Sequence, residues 1–346
     1  NYSVLSDWGQ ETAGVNPMVP GEFTITTTYY YMLNAMAEIA SFLGKDADAK
    51  VFLTQAQNTK KAFNERFYKN GVYEYGQQSE FAMPLYYGLV DQENEELVAA
   101  KLAERVKKDN YKIKTGEIGL KPVFMSLAKY GYNDIVYQMA NQTDCPSYGY
   151  WVKQGYTTTP EYWDVGAFSQ NHCMMDHIEE WFFSQLGGNQ NDGNGFDVVR
   201  IEPWIPEDMN HLDVTTRSIY GDIRCHYERG ADDEMNYTFE IPANSQANIV
   251  LPCLNHQSVF ENGKDVKNGE NGVVSVEYKD GKAYLKMGSG NYTLQIKKKV
   301  ATGIQELNAS KMQLNNVYYD LEGRNLGKIR PSQKGIYVLN HKKVVL

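Results

Sequence analysis

The chain has 346 residues, enough at roughly 150 per domain for about two domains and a large core. Its 42% hydrophobic and 22% charged residues exclude a disordered or fibrous chain. The net charge of −9, from 34 Lys and Arg against 43 Asp and Glu, leaves no cationic excess to neutralise phosphates and argues against DNA or RNA as a partner. From Gly21 to about Gly188 apolar residues recur at helical spacing, in segments parted by short Gly, Asn or Asp turns. The pattern predicts about seven helices, over 22–44, 46–68, 78–89, 93–108, 119–130, 132–142 and 171–186. Breakers such as Gly44-Lys45-Asp46 and Gly131-Tyr132-Asn133 end several pairs, as antiparallel helical hairpins require. The longest nearly apolar run, Phe81 to Val90, contains Pro84 and Gly88 and is half the roughly 20 residues a spanning helix needs, so no membrane span is expected.

The Gly/Asn-rich stretch 187–195 marks a boundary, and beyond it the helical period gives way to alternation of period two. Strands are predicted over 197–204, 211–219, 222–229, 234–241, 247–252, 257–261, 272–278, 282–287 and 290–298, which read as an antiparallel β-sandwich. Strand-turn-strand patterns at 317–324 and 334–340 predict a small appended β module. The expected domains are therefore 1–188, 196–300 and 301–346. Asn1 to Gln10 has neither the basic start nor the apolar stretch of a signal peptide, and the chain reads as beginning inside a larger protein. Cys145, Cys173, Cys225 and Cys253 are widely spaced with no C-x-x-C, against a zinc site or redox pair; they neither require nor exclude disulfides.

Aromatic content points toward a ligand class. There are 26 Tyr and 5 Trp against 13 Phe, an excess of rings with a polar handle, and such rings complement both the C–H face and the hydroxyl rim of a sugar. The plain alternative is that Tyr fills amphipathic helices and sheet faces. The densest stretch runs through Pro146-Ser147-Tyr148-Gly149-Tyr150-Trp151, Gly155 to Asp164 and Ser169-Gln170-Asn171-His172. Within it, Glu161 and Asp164 stand about one helical turn apart if the backbone is helical. Carboxylates ringed by Trp and Tyr suit glycoside hydrolysis, where one carboxylic acid protonates the leaving oxygen and a second activates water or attacks the sugar. Equally open is a loop whose Thr residues cap a helix and whose Glu161 is a solvated surface group. The acidic residues near the site are not grouped with His or Cys at ligand spacings and the chemistry requires no metal, so no metal and no cofactor is expected.

In order and spacing, Gly119, Met125, Gly131, Asp134, Tyr137, Gln142-Thr143-Asp144, Pro146 to Tyr150, Gly155, Thr157-Thr158, Glu161, Trp163-Asp164 and Asn171-His172 resemble bacterial α-L-rhamnosidases, inverting glycoside hydrolases with an (α/α)6 barrel. The resemblance extends to Asp7-Trp8, to Phe81 through Val90 and into the β region, most of residues 5–298. It implies the later hairpins of a six-hairpin barrel, partial in this chain, followed by an antiparallel β-sandwich. It also implies a substrate bearing terminal α-L-rhamnose. By the resemblance Glu161 is the general base, Trp163 an aromatic of the same motif, Asp7 and Trp8 a pair in the sugar subsite, and His172 a histidine lining it; Trp151 joins them as a candidate aromatic wall. For His172 a buried ring satisfied by backbone, and for Trp8, Trp151 and Trp163 core packing, stay open.

Two departures stand out. Pro160-Glu161 replaces the family's Trp-Glu, and Thr115-Gly116-Glu117 replaces Thr-Gly-Phe, which puts Glu117 near the site as a substrate contact or as surface charge. The family's Asp-x-x-x-Arg-x-Glu-Arg-x-Gly-Trp segment, which carries the general acid, does not occur in 1–346. The expectation is that an N-terminal segment of the same protein supplies it. Residues 319–324 and 334–344 resemble the C-terminal tails of exported Bacteroidetes proteins, implying a periplasmic or cell-surface location. Two other classes stay open: a polysaccharide lyase using Tyr162 and His172, and a non-catalytic carbohydrate-binding fragment.

Overall fold

A computed structural model describes residues 6–164, 166, 168–231, 234–298, 317–321, 323–328, 331–339 and 342–345. The helical part opens with α1 (Gly21–Phe42) and α2 (Asp46–Phe67), an antiparallel hairpin. Its turn is made by Gly44, whose φ of +68° is left-handed, and by Lys45 N–H donating to Ala40 O at 2.8 Å, so the last carbonyls of α1 stay satisfied. Phe23, Phe63 and Phe67 meet at the open end of the hairpin, away from that turn, with centroids 4.8–5.1 Å apart. Tyr73 adds a fourth ring from the two-stranded hairpin β1 (Tyr68–Lys69) and β2 (Val72–Tyr73).

Next come α3 (Gln78–Tyr87), α4 (Glu95–Lys108), α5 (Glu117–Lys129), α6 (Asn133–Ala140) and α7 (Tyr148–Lys153). Residues 78–85 of α3 are all buried, and α5 is buried over most of its length, so these two form the interior wall of the helical part. The helix expected at 171–186 is instead three pieces: a 3-10 turn at Cys173–Met175, α8 (Ile178–Trp181) and a π-turn at Phe182–Leu186. In this stretch Tyr148 Oη donates to Met175 O at 2.6 Å and Trp181 Nε1 donates to Asn133 Oδ1 at 2.8 Å.

The expected linker holds a strand. β3 (Asn189–Asn191) pairs with β4 (Val198–Ile201) and forms the edge of a five-stranded sheet. β5 (His211–Ser218), β6 (Gly221–Arg229), β7 (Met235–Ile241), β8 (Gln246–Pro252), β9 (Gln257–Glu261), β10 (Lys264–Asp265), β11 (Val273–Lys279), β12 (Lys282–Met287) and β13 (Gly290–Lys298) follow. The sheets run β10-β9-β13-β7-β6-β5 and β11-β12-β8-β4-β3. All pairs are antiparallel except β4 with β8, which is parallel. Alternate residues such as Tyr227, Tyr237, Phe239, Ile249, Leu285 and Leu294 are buried between the sheets, as period-two patterning dictates for a sandwich.

The helical part and the sandwich form one compact unit, Asn1–Lys298. Trp204 joins them, with its ring centroid 5.9 Å from Tyr137 and 6.1 Å from Trp181. The second unit, Lys299–Leu346, contains β14 (Tyr318–Tyr319), β15 (Asn325–Gly327), β16 (Ile336–Leu339) and β17 (Lys342–Val345), an antiparallel sheet in the order β15-β14-β16-β17. Residues 301–316 of the expected tail lie outside the described residues.

Candidate active site

The segment after Ser6 lies across the N-terminal end of α5. Asp7 is fully buried, and its carboxylate accepts five hydrogen bonds. Ser79 Oγ, Thr115 Oγ1 and Gly116 N donate to Oδ2 at 2.6, 2.9 and 2.8 Å, and Ile118 N and Gly119 N donate to Oδ1 at 2.9 Å each. Three of those donors are backbone groups at the start of α5, where a carboxylate is favoured by unpaired N–H groups and the helix dipole. The close approach requires glycine. A Cβ on Gly119 would stand 2.2 Å from Thr115 Oγ1 and 2.7 Å from Asp7 Oδ2, and one on Gly116 would stand 2.1 Å from Trp8 O. Asp7 therefore lies beneath the site with no surface to offer a sugar, contrary to the subsite role that the resemblance implies.

Trp8 sits above it, exposed on one side. Its indole Nε1 donates to Glu161 Oε1 at 2.8 Å, and its carbonyl accepts from Glu117 N at 2.9 Å. Glu161 lies on a loop closed by Glu161 N donating to Ser169 O at 3.1 Å and His172 N donating to Thr159 O at 2.7 Å. Tyr162 follows it, with its ring centroid 6.2 Å from that of Trp8. Desolvation and then the Glu161 charge push the Tyr162 phenol above its ordinary range, which keeps it protonated at neutral pH.

Glu117, the first residue of α5, turns its side chain to the same place. Its Oε1 is in direct contact with His172 Nε2, while His172 Nδ1 is 3.3 Å from Ser169 Oγ. The Glu117 side chain is 10% exposed and that of His172 25%. Burial pushes the Glu117 carboxyl upward, the neighbouring imidazole pulls it back, and the charges of Glu161 and Asp7 raise it again; the net direction is upward. The structure thus brings Trp8, Glu117, Glu161 and His172 together.

Trp151 and Trp163 belong to the core. Their rings stack on each other at 4.5 Å and 11°, Tyr148 packs edge-on against both at 5.5 Å, and they are 2% and 0% exposed. Trp163 Nε1 donates to Thr115 O at 2.7 Å and Trp151 Nε1 to Trp163 O at 3.1 Å, so their polar edges are occupied as well. Trp151 reaches a cavity of about 460 Å³ that Thr157, Asn171 and Asp176 also line, yet it presents no open ring face there. The two tryptophans are packed inside the helical core and offer no ring face to a sugar. Ser79, which helps bind Asp7, escaped the sequence reading because a small hydroxyl inside an apolar helix carries no periodic signal.

Among the described residues no group of three or more His, Cys, Asp or Glu is placed to hold a metal ion. No helix among them is long and apolar enough to cross a membrane.

Residues 2–186 match the family described as bacterial alpha-L-rhamnosidase 6 hairpin glycosidase domain, and residues 188–265 match the bacterial alpha-L-rhamnosidase C-terminal domain. An alpha-L-rhamnosidase of Formosa agariphila is 29% identical over 266 residues, 74% of this chain and 26% of that protein. The alpha-L-rhamnosidase structure from Dictyoglumus thermophilum superposes with a TM-score of 0.75 at 26% identity, over 85% of this chain and 34% of its own. The Streptomyces avermitilis alpha-L-rhamnosidase, solved with L-rhamnose, gives 0.74 at 22% identity over 84% and 28%, a likeness of fold. The chain spans about a quarter to a third of the length of these relatives.

Proposed function

The chain belongs to the bacterial α-L-rhamnosidase six-hairpin glycosidase family, and from that membership we propose that it forms the base-bearing part of a glycoside hydrolase releasing terminal α-L-rhamnosyl residues. Glu161 is the general base. The observation that carries this role is its hydrogen bond from the Trp8 indole, which holds Oε1 at 2.8 Å; Oε2 has no hydrogen-bond partner among the described residues and is free to take a proton from water. A carboxylate gripped on one oxygen keeps its orientation while the other works, the preorganisation that acid–base catalysis needs.

The reaction inverts the anomeric centre. In that geometry the acid and base stand about 6.5–9.5 Å apart with a water between the base and the sugar. The proton donor comes from hairpins outside these residues. Support for this is the outer face of α1, where Ile25, Tyr29, Met32, Met36 and Ile39 form an exposed apolar stripe of the kind that neighbouring helices cover in a six-hairpin toroid.

The test is hydrolysis of a chromogenic aryl α-L-rhamnoside by the full-length protein and its Glu161→Gln variant. Turnover should fall by about 10²–10⁴-fold, the usual worth of a general base. The anomer released first, followed by NMR, should be the inverted one. Wild-type turnover in Glu161→Gln would remove Glu161 from the mechanism, and a retained anomer would remove inversion.

A further inference from the structure

Glu161 is held from two directions, and both lead back to Glu117. On one side the Trp8 indole grips the carboxylate, and the Trp8 carbonyl is itself held by Glu117 N–H at 2.9 Å. On the other, the loop from Thr159 to His172 carries Glu161, and its closing residue His172 touches the Glu117 carboxylate through Nε2. Thr158 Oγ1 donates to Gln170 O across the base of the same loop, and Ser169 meets the other nitrogen of the imidazole.

We propose that Glu117 is a positioning residue that acts through His172: its side chain fixes the imidazole and so clasps the loop bearing Glu161 onto the N-terminal end of α5. The assignment rests on the reading of Glu161 as base. Glu117 is suited to the task because α5 is itself anchored, its first turn wrapped around the buried Asp7. His172 is suited because both ring nitrogens face loop or helix partners, so the ring bridges them as a rigid plate. A hydrogen bond between a carboxylate and an imidazole that share one proton is of the stronger, charge-assisted kind. The charged groups acting on Glu117 are His172, Glu161 and Asp7, and those acting on the neighbouring Tyr162 are Glu161, Glu11, Asp164 and Glu117.

The test uses the full-length protein with Glu117→Ala, Glu117→Gln, His172→Ala and the Glu117→Ala/His172→Ala pair, assayed on an aryl α-L-rhamnoside. Glu117→Ala and His172→Ala should each lower kcat by about tenfold or more with KM within about threefold, since a misplaced base slows chemistry more than binding. Glu117→Gln, which keeps an oxygen for Nε2–H, should recover most of that loss. The double variant should be no slower than His172→Ala alone, because the two residues act in series. His172→Ala breaks the clasp from the more exposed side, so the idea stays testable if Glu117→Ala fails to fold. Losses that multiply in the double variant would mean that Glu117 works on the substrate itself, and near-wild-type kcat in Glu117→Ala would mean that no clasp operates; either overturns the proposal. A readout independent of rhamnose is the ¹H–¹⁵N signal of the His172 ring in NMR spectra. It should move in Glu117→Gln, because the oxygen facing Nε2 changes from a carboxylate to an amide. If even the wild-type protein cleaves no rhamnoside, the rhamnosidase reading fails, and the ring signal alone then decides the pair: a shift supports it and an unmoved signal overturns it.

Discussion

Asp7 accepts five hydrogen bonds in a space that excludes water, and three of its donors are the backbone N–H groups that open α5. Replacing it by Ala would orphan those donors at a helix end with nothing to take them up. Asp7→Ala should therefore lose about 3 kcal/mol or more of stability, since a buried donor left unpaired costs about 1–3 kcal/mol and several are orphaned at once, with Asp7→Asn losing less because its amide oxygen still accepts. Urea unfolding measures this, and a loss under 1 kcal/mol would show that the network matters little. The residue also shows what sequence can convey about a site. The resemblance placed Asp7-Trp8 together at a subsite, and the structure separates them by role: Trp8 reaches Glu161 while its neighbour braces the helix below. Burial decides between the two, and a lone motif does not report burial. The same holds for Trp151 and Trp163, whose motif positions said nothing of their being stacked on each other, whereas Glu117 was visible as a departure in sequence and sits at the centre of the cluster.

Among the elements, α3 carries a titration of its own. Glu80, buried in its first turn, accepts from Tyr75 N and Gln77 N through Oε2 at 2.9 Å each, while its buried Oε1 has no partner among the described residues. Desolvation outweighs those backbone hydrogen bonds and pushes the carboxyl up to about 7. With an ordinary value near 4.5 in the unfolded chain, the folded state binds the proton more tightly. The associated stability is fully present below about pH 4.5 and is lost as pH rises to about 7, by up to about 3 kcal/mol. Glu80→Gln should flatten that slope in unfolding curves taken from pH 5 to 8; an unchanged slope would assign it to other groups. Helices of this kind were legible in the sequence because their apolar period is sustained and their ends carry Gly or Asp. The predicted 46–68 and 78–89 lie close to the observed Asp46–Phe67 and Gln78–Tyr87. The segment 171–186 kept a helical pattern yet broke into turns, and within it the Met175 carbonyl is taken by the Tyr148 hydroxyl, a tertiary contact that helical periodicity does not encode. Strand β3 was hidden for a different reason: Asn189–Asn191 has no apolar alternation and is ordered by pairing with β4, a contact that local pattern does not encode.

At the scale of the molecule, the two faces of α1 are unequal in a way that composition conceals. Phe23, Thr27, Ala37 and Ala40 are buried, while Ile25, Tyr29, Met32, Met36 and Ile39 are exposed on the other side, at alternating spacings of four and three residues. That spacing is the seam of a helix built to pack against another helix. In a six-hairpin toroid each helix has neighbours around the ring, so on the function proposed above the stripe would be covered by further hairpins of the same protein. Introducing Met32→Glu with Met36→Glu distinguishes a covered seam from an open one. In this chain by itself the two carboxylates would face water, and unfolding should shift by less than about 1 kcal/mol. In the full-length protein they would be buried without partners, and stability should drop by about 3 kcal/mol or more, together with rhamnosidase turnover. Equal melting behaviour of the full-length wild-type and doubly substituted proteins would leave the stripe open to solvent, and the proton donor would then have to come from a part of the protein that does not pack on α1.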